Sequence, residues 1–250
     1  LFEMHANLKK KFGQNFLIDK NILSKIINLI PRNNLYILEI GPGSGNLTEL
    51  IINKNPAQLN LIEIDSDLTQ DLNLKFNKYK FIKIMNEDVL CADIDKNYDI
   101  IISNLPYNIS SQILSKIVQL HSPPEHLILM FQKEFADRLL SSRLNAINTL
   151  VNCFYKVKHE FNISKNCFRP IPKVDSSLLS FYKHQNLLIK KDEIEKFINF
   201  KRKVFSHKRK TLQKVFRDYQ IDVNVDIDKN LRIENLSLFE FISIFRKVNF

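Results

Sequence analysis

Three short segments of this chain carry residues able to bind and orient a small polar ligand. The first is Glu39-Ile40-Gly41-Pro42-Gly43-Ser44-Gly45, which holds three of the four glycines in 250 residues. Glycine serves where backbone must turn sharply or approach a ligand with no Cβ in the way. The second is Glu63-Ile64-Asp65, echoed further on by Asp88 in Asn86-Glu87-Asp88-Val89. A carboxylate is acceptor-only, suited to the hydroxyls of a ribose or to an exocyclic amino group. The third is Asn104-Leu105-Pro106-Tyr107, an amide, a proline-stiffened turn and an aromatic ring, which together could hold an amino group and stack on a flat base.

Each segment ends or follows an apolar run. Leu35-Tyr36-Ile37-Leu38 precedes the glycine loop, and Asn46 to Ile52 after it has helical apolar spacing. Gln58-Leu59-Asn60-Leu61-Ile62 leads into Glu63, and Ile100-Ile101-Ile102-Ser103 leads into Asn104. The pattern predicts strands near 35–40, 58–64, 81–86, 98–103 and 126–131 with helices between, which is a doubly wound, Rossmann-like α/β sheet. In such sheets ligands bind at the carboxyl ends of the strands. A closing strand pair is expected over 156–164 and 176–182, around the proline loop Phe168-Arg169-Pro170-Ile171-Pro172. Beyond His184 only short amphipathic helices are signalled, so residues 1–185 are assigned to the α/β domain and 186–250 to a small helical domain.

Strand-strand spacing gives the acids their roles. Glu63, at the end of the second strand, is placed for both ribose hydroxyls, whereas Asp65 has the alternative role of capping the helix that begins near Ser66. Asp88 could accept an adenine amino group. Singly, each acid reads equally as a strand-end or cap residue, and Asn104 to Tyr107 as a turn with a core tyrosine. Three successive strand ends with suitable polar groups favour a site. A dinucleotide is a poor match, because Asn46 stands where the fingerprint takes a small residue against a pyrophosphate, and no His or Tyr-Lys pair is arranged for hydride transfer. S-adenosylmethionine, with an adenosine, a diol and a carboxylate but no phosphates, fits better.

The formal net charge is +10. From Lys201 to Arg217 there are eight Lys or Arg and no acid, with Val204, Phe205, Leu212, Val215 and Phe216 spaced for a packed helical face. A solvated face would normally mix in glutamates, so this run predicts nucleic-acid contact. Cys91, Cys153 and Cys167 lack metal-ligand spacing and the histidines are scattered, which predicts reduced thiols and no metal. No stretch has the length of a membrane span, and Leu1 to Lys11 lacks a secretory apolar core. A soluble compartment is expected, the cytoplasm or an organelle matrix.

Five motifs occur in order: Lys11-Phe12-Gly13-Gln14-Asn15-Phe16-Leu17, the glycine loop, Asn104-Leu105-Pro106-Tyr107-Asn108-Ile109-Ser110, Gln132-Lys133-Glu134, and Phe168 to Ser176. Together with Lys208-Arg209-Lys210-Thr211-Leu212 and Glu234-Asn235-Leu236-Ser237, they resemble the KsgA-type rRNA adenine N6-dimethyltransferases from about residue 8 to 247. The resemblance implies a class I methyltransferase fold and an S-adenosylmethionine site lined by Asn15, Leu17, Gly41, Glu63, Asp88 and Asn104. It also implies dimethylation of two adjacent adenosines in the 3′-terminal hairpin loop of small-subunit rRNA, in a partly assembled subunit, by a monomer. Asn104, Leu105 and Pro106 would orient the target amine, Tyr107 and Phe168 would sandwich the base, and Lys208, Arg209 and Lys210 would contact RNA. The chain departs from the family where Ser142-Arg143-Leu144-Asn145-Ala146 replaces a Tyr-Gly pair, read as a local loop change. Alternatives of the same fold are the erythromycin-resistance methyltransferases of large-subunit rRNA and a non-catalytic assembly or transcription-factor relative.

Overall fold

The computed structural model describes residues 15–207, 210–219 and 227–248. In chain order the elements are β1 (Phe16–Leu17), α1 (Lys20–Ile27), β2 (Tyr36–Ile40), α2 (Asn46–Ile52), β3 (Gln58–Glu63), α3 (Ser66–Phe76), β4 (Ile82–Asn86), β5 (Ile100–Asn104), α4 (Ser110–Val118), β6 (His126–Gln132), α5 (Lys133–Leu140), α6 (Ala146–Val151), β7 (Tyr155–Ile163), β8 (Phe168–Arg169), β9 (Ser176–Lys183), α7 (Ile194–Phe205), α8 (Leu212–Asp218) and α9 (Leu238–Lys247).

Seven strands form one sheet in the order β4-β3-β2-β5-β6-β9-β7. The first five are parallel to their neighbours, and β9 runs antiparallel to β6. The apolar runs are explained by position, since β2, β3, β5 and β6 are buried on both faces while the edge strand β4 is half-exposed. The order of strand addition reverses about β2: the chain passes from β2 to β3 and β4 on one side, then crosses to β5 on the other. Such a switch point opens a crevice beyond the carboxyl ends of the two central strands. Ile37, Leu59, Leu61, Ile100 and Ile102 on one sheet face share a core with Ile26 of α1, Ile51 of α2 and Phe76 of α3. Burying such a side chain contributes roughly 1.5–3 kcal/mol.

By contact, the described residues fall into two units. One comprises the chain up to Ala136 together with Lys158–Lys183, and the other comprises Asp137–Val157 with His184 onward. The expected boundary near 186 lies close to the last crossover, but residues 137–157, assigned by sequence to the first domain, pack with the tail. Within the second unit Phe197 and Phe200 of α7 meet Phe241 and Phe245 of α9, with ring centroids 5.1–5.9 Å apart. Val204, Leu212, Val215 and Phe216 are buried as their spacing predicts, and Phe205 stacks on Phe241. The segment that departs from the family is a defined cap. Asn145 and Asn148 make a reciprocal capping box at the start of α6, and the Asn148 side chain also donates to the carbonyls of Ser141 and Arg143.

Candidate active site

At the end of β2 the backbone passes through Gly41, Gly43 and Gly45 with φ of 65°, 58° and 80°, a region that L side chains avoid. A Cβ on Gly43 would stand 2.6 Å from the Phe16 ring, and one on Gly45 would stand 2.8 Å from the Phe76 ring. At Gly41 a Cβ would meet nothing within 4 Å, so this backbone borders open space. A cavity lies there, and Asn15, Leu17, Gly41, Glu63, Asp88 and Asn104 all line it. Leu105, Pro106 and Tyr107 complete its wall at the end of β5.

The buried Glu63 carboxylate is held by backbone: Oε2 accepts the Gly43 N–H at 3.2 Å and Oε1 accepts the Asp65 N–H at 3.0 Å. Burial pushes this carboxyl above the usual range, and the two N–H groups oppose that shift. Each oxygen retains acceptor capacity for a ligand hydroxyl. Asp65 has the capping role, its Oδ1 accepting the Asp67 N–H at 3.0 Å at the start of α3. Asp88 Oδ1 accepts the Leu90 N–H at 2.8 Å, which turns the chain after β4 and leaves the carboxylate half-buried at the cavity.

Asn104 donates its side-chain NH2 to the Asn15 carbonyl at 2.8 Å. With that donor engaged, the amide oxygen is the group left to accept from a ligand. Asn46 makes the equivalent bond to the Leu17 carbonyl, also at 2.8 Å. The Asn15–Leu17 wall is therefore tied by two side-chain amides, one from the end of β5 and one from the start of α2. Sequence reasoning missed this use of Asn46, although an asparagine in place of the small residue of a dinucleotide loop was its signal.

Glu39 was also missed as a separate group. It is fully buried at the cavity, accepts the Thr48 hydroxyl at 2.7 Å, and has its carboxyl pushed up to about 8, chiefly by burial, with the Thr48 bond opposing and the nearby Glu63 charge adding. The native state thus holds a proton that the unfolded chain releases above about 4.5. Stability from this group is complete below that value and is lost as pH rises through about 8. Melting curves should show a decline on the order of a few kcal/mol across that window, and Glu39→Gln should flatten it. Parallel curves for the two proteins would mean that Glu39 is ionised in the fold.

Residues 5–249 match the model of the ribosomal RNA adenine dimethylase family. The chain belongs to this family. It is 41% identical over 250 aligned residues to a ribosomal RNA small subunit methyltransferase A of Pelagibacter ubique, covering 93% of this chain and 94% of that relative. A dimethyladenosine transferase of Plasmodium falciparum superposes with a TM-score of 0.79 at 25% identity, over 92% of this chain and 95% of the other. The 23S rRNA methyltransferase ErmE superposes with a TM-score of 0.74 over 93% of this chain and 99% of the other, and at 20% identity that likeness shows the fold alone. The dimethylase is an S-adenosylmethionine-dependent methyltransferase with the class I sheet.

Three expectations for the dimethylase's substrate residues meet different outcomes. Tyr107 lines the cavity, with its hydroxyl 2.6 Å from Ser176 Oγ. Burial pushes that hydroxyl up, against the opposing Ser176 bond, so the ring is neutral and is presented as a fixed aromatic surface. Phe168 is a correction. The pairing of β8 with β1 carries it into the hydrophobic core, where it is fully buried, and no face is open to a base. Lys208 and Arg209 lie outside the described residues. Lys210 has its ammonium paired with Asp218 at 2.7 Å, a partner one residue beyond the acid-free run. Lys201, in the same run, is half-buried and donates to the Ala146 carbonyl at 2.9 Å. Burial pushes its ammonium down to about 8, with Arg202 adding to the shift. Among the described residues no helix is long and apolar enough to cross a membrane, and no cluster of three or more His, Cys, Asp or Glu converges on a metal-sized site.

Proposed function

We propose that this chain dimethylates N6 of two adjacent adenosines in the 3′-terminal hairpin loop of small-subunit rRNA. The proposed substrate is a partly assembled subunit, and the enzyme is proposed to act as a monomer in a soluble compartment. The observation that carries the reading is the Asn104 amide, whose NH2 is held by Asn15 and whose oxygen remains as acceptor beside Leu105 and Pro106 in the same cavity as Glu63 and Asp88. The residues fit the cofactor: Glu63 and Asp88 offer carboxylate acceptors for ribose and adenine, and Gly41 offers backbone bordering open space. When bound, S-adenosylmethionine supplies a methyl already activated by a positive sulfonium.

The chain's own contribution is placement. Adenine N6 is a poor nucleophile because its lone pair is delocalised into the ring. The Asn104 oxygen and the Leu105 carbonyl would accept its two hydrogens, letting the nitrogen pyramidalise with the lone pair free. Pro106 is the less available second acceptor, since its carbonyl takes the Ile109 N–H at 3.2 Å. Tyr107 would stack on the base. A monomethylated nitrogen keeps one hydrogen, and one acceptor suffices to orient it again. Incubating the protein with labelled S-adenosylmethionine and unmodified small subunits, then mapping labelled bases, tests the assignment; label on large-subunit RNA, or none, would overturn it.

The helical unit is proposed to contact RNA through its basic run. Replacing Lys208, Arg209 and Lys210 with glutamine should weaken subunit binding and reduce the log–log salt slope by about 0.7 to 0.9 per lost phosphate contact. Lys210 should contribute least, because Asp218 already neutralises it. Cofactor affinity should not change. Binding measured at several salt concentrations decides the matter, and an unaltered slope would leave this run a solvated face.

A further inference from the structure

We propose that residues 170–175 form a wedge that unstacks the RNA, with Ile171 and Val174 filling the gap left when the target adenosine turns into the cavity. The inference rests on the adenosine-methylating function proposed above. Both ends of this loop are tied to the cavity wall. At its entry Phe168 and Arg169 pair with Leu17 and Phe16. At its exit Ser176 Oγ meets the Tyr107 hydroxyl at 2.6 Å, the Asp175 carbonyl accepts the Lys133 N–H at 3.0 Å, and Asp175 Oδ1 accepts the Lys165 N–H at 2.9 Å. Pro172, in the middle, is buried.

On this anchored loop two branched apolar side chains stand in solvent, Ile171 at 54% and Val174 at 43% exposure. Single exposed apolar residues are ordinary, but a pair flanking a buried proline on a loop tied to the cavity residues Tyr107, Phe16 and Leu17 marks a contact surface. The chemistry around the pair fits a polyanion. Lys165, Arg169 and Lys173 are all exposed, and the one acid among them, Asp175, accepts a backbone N–H from Lys165. The Arg169 guanidinium is positioned by the carbonyls of Asn166 and Phe168, at 3.1 and 2.7 Å. A stacked base cannot reach Asn104, so it must be extruded at a cost in stacking. In other nucleic-acid complexes apolar side chains are inserted between base steps and hold them unstacked. An apolar protein partner would have no use for three exposed cations so close in the chain to the apolar pair.

The test uses the whole chain, S-adenosylmethionine and unmethylated small ribosomal subunits. For Ile171→Ser with Val174→Ser, kcat should fall about tenfold or more, while KM for subunits, cofactor affinity by calorimetry and melting temperature stay unchanged. Ile171→Leu with Val174→Ile should restore the rate, because apolar volume is what the wedge supplies. Wild-type kcat in the serine variant would overturn the proposal. A raised KM with kcat intact would replace the wedge with a docking contact, and lost cofactor affinity or stability would make the loop structural. No transfer by the unaltered protein would remove the underlying function and the wedge with it.

Discussion

Asn104→Ala should lower the methylation rate by about a hundredfold or more while leaving subunit binding nearly unchanged. The amide is a preorganised dipole aimed at an amine that develops charge as it reacts, and deleting one such group in other enzymes costs about that much. Its orientation is set by the 2.8 Å bond to the Asn15 carbonyl. The same substitution therefore removes one of the two side-chain amides that tie the Asn15–Leu17 wall, while Asn46 and the pairing of β1 with β8 remain. Single-turnover rates at saturating cofactor separate the two consequences, since loosening of the wall is overcome by cofactor concentration and loss of the acceptor is not. A near-normal single-turnover rate would refute the placement mechanism.

Glu63→Ala should weaken S-adenosylmethionine binding by about tenfold to a hundredfold, because a hydrogen bond to a charged group is worth roughly 1.5 to 3 kcal/mol. The fold should persist, but the Gly43 and Asp65 N–H groups would lose their acceptor. Glu63→Gln separates these effects: it keeps a carbonyl oxygen while removing the charge, so its affinity should lie between the other two. Calorimetry showing equal affinity in all three proteins would remove Glu63 from the ribose role. Burial raises the Glu63 pKa, so affinity should also drop as pH falls through that raised value and the carboxylate is protonated.

The sequence by itself determined whatever depends on local chemistry and period. Continuous apolar runs such as Ile100-Ile101-Ile102 could belong only to strands covered on both faces, and three glycines in five positions required a backbone that turns through positive φ. Those two facts put Gly41, Glu63, Asp88 and Asn104 at consecutive strand ends, and parallel strands deliver their ends to one crevice. Tertiary structure alone decided which polar atoms meet. Nothing near Asn104 in sequence indicates that its amide is turned by a carbonyl 89 residues away, and nothing near Asn46 points to Leu17. Phe168 has the composition of a base-stacking residue, yet the pairing of β8 with β1 buries it. Lys210 sits in an acid-free run, yet the fold brings Asp218, at the far end of α8, to its ammonium. Period and composition fix the face a residue occupies, whereas a hydrogen bond or ion pair depends on distances of a few ångströms between segments that only the assembled fold brings together.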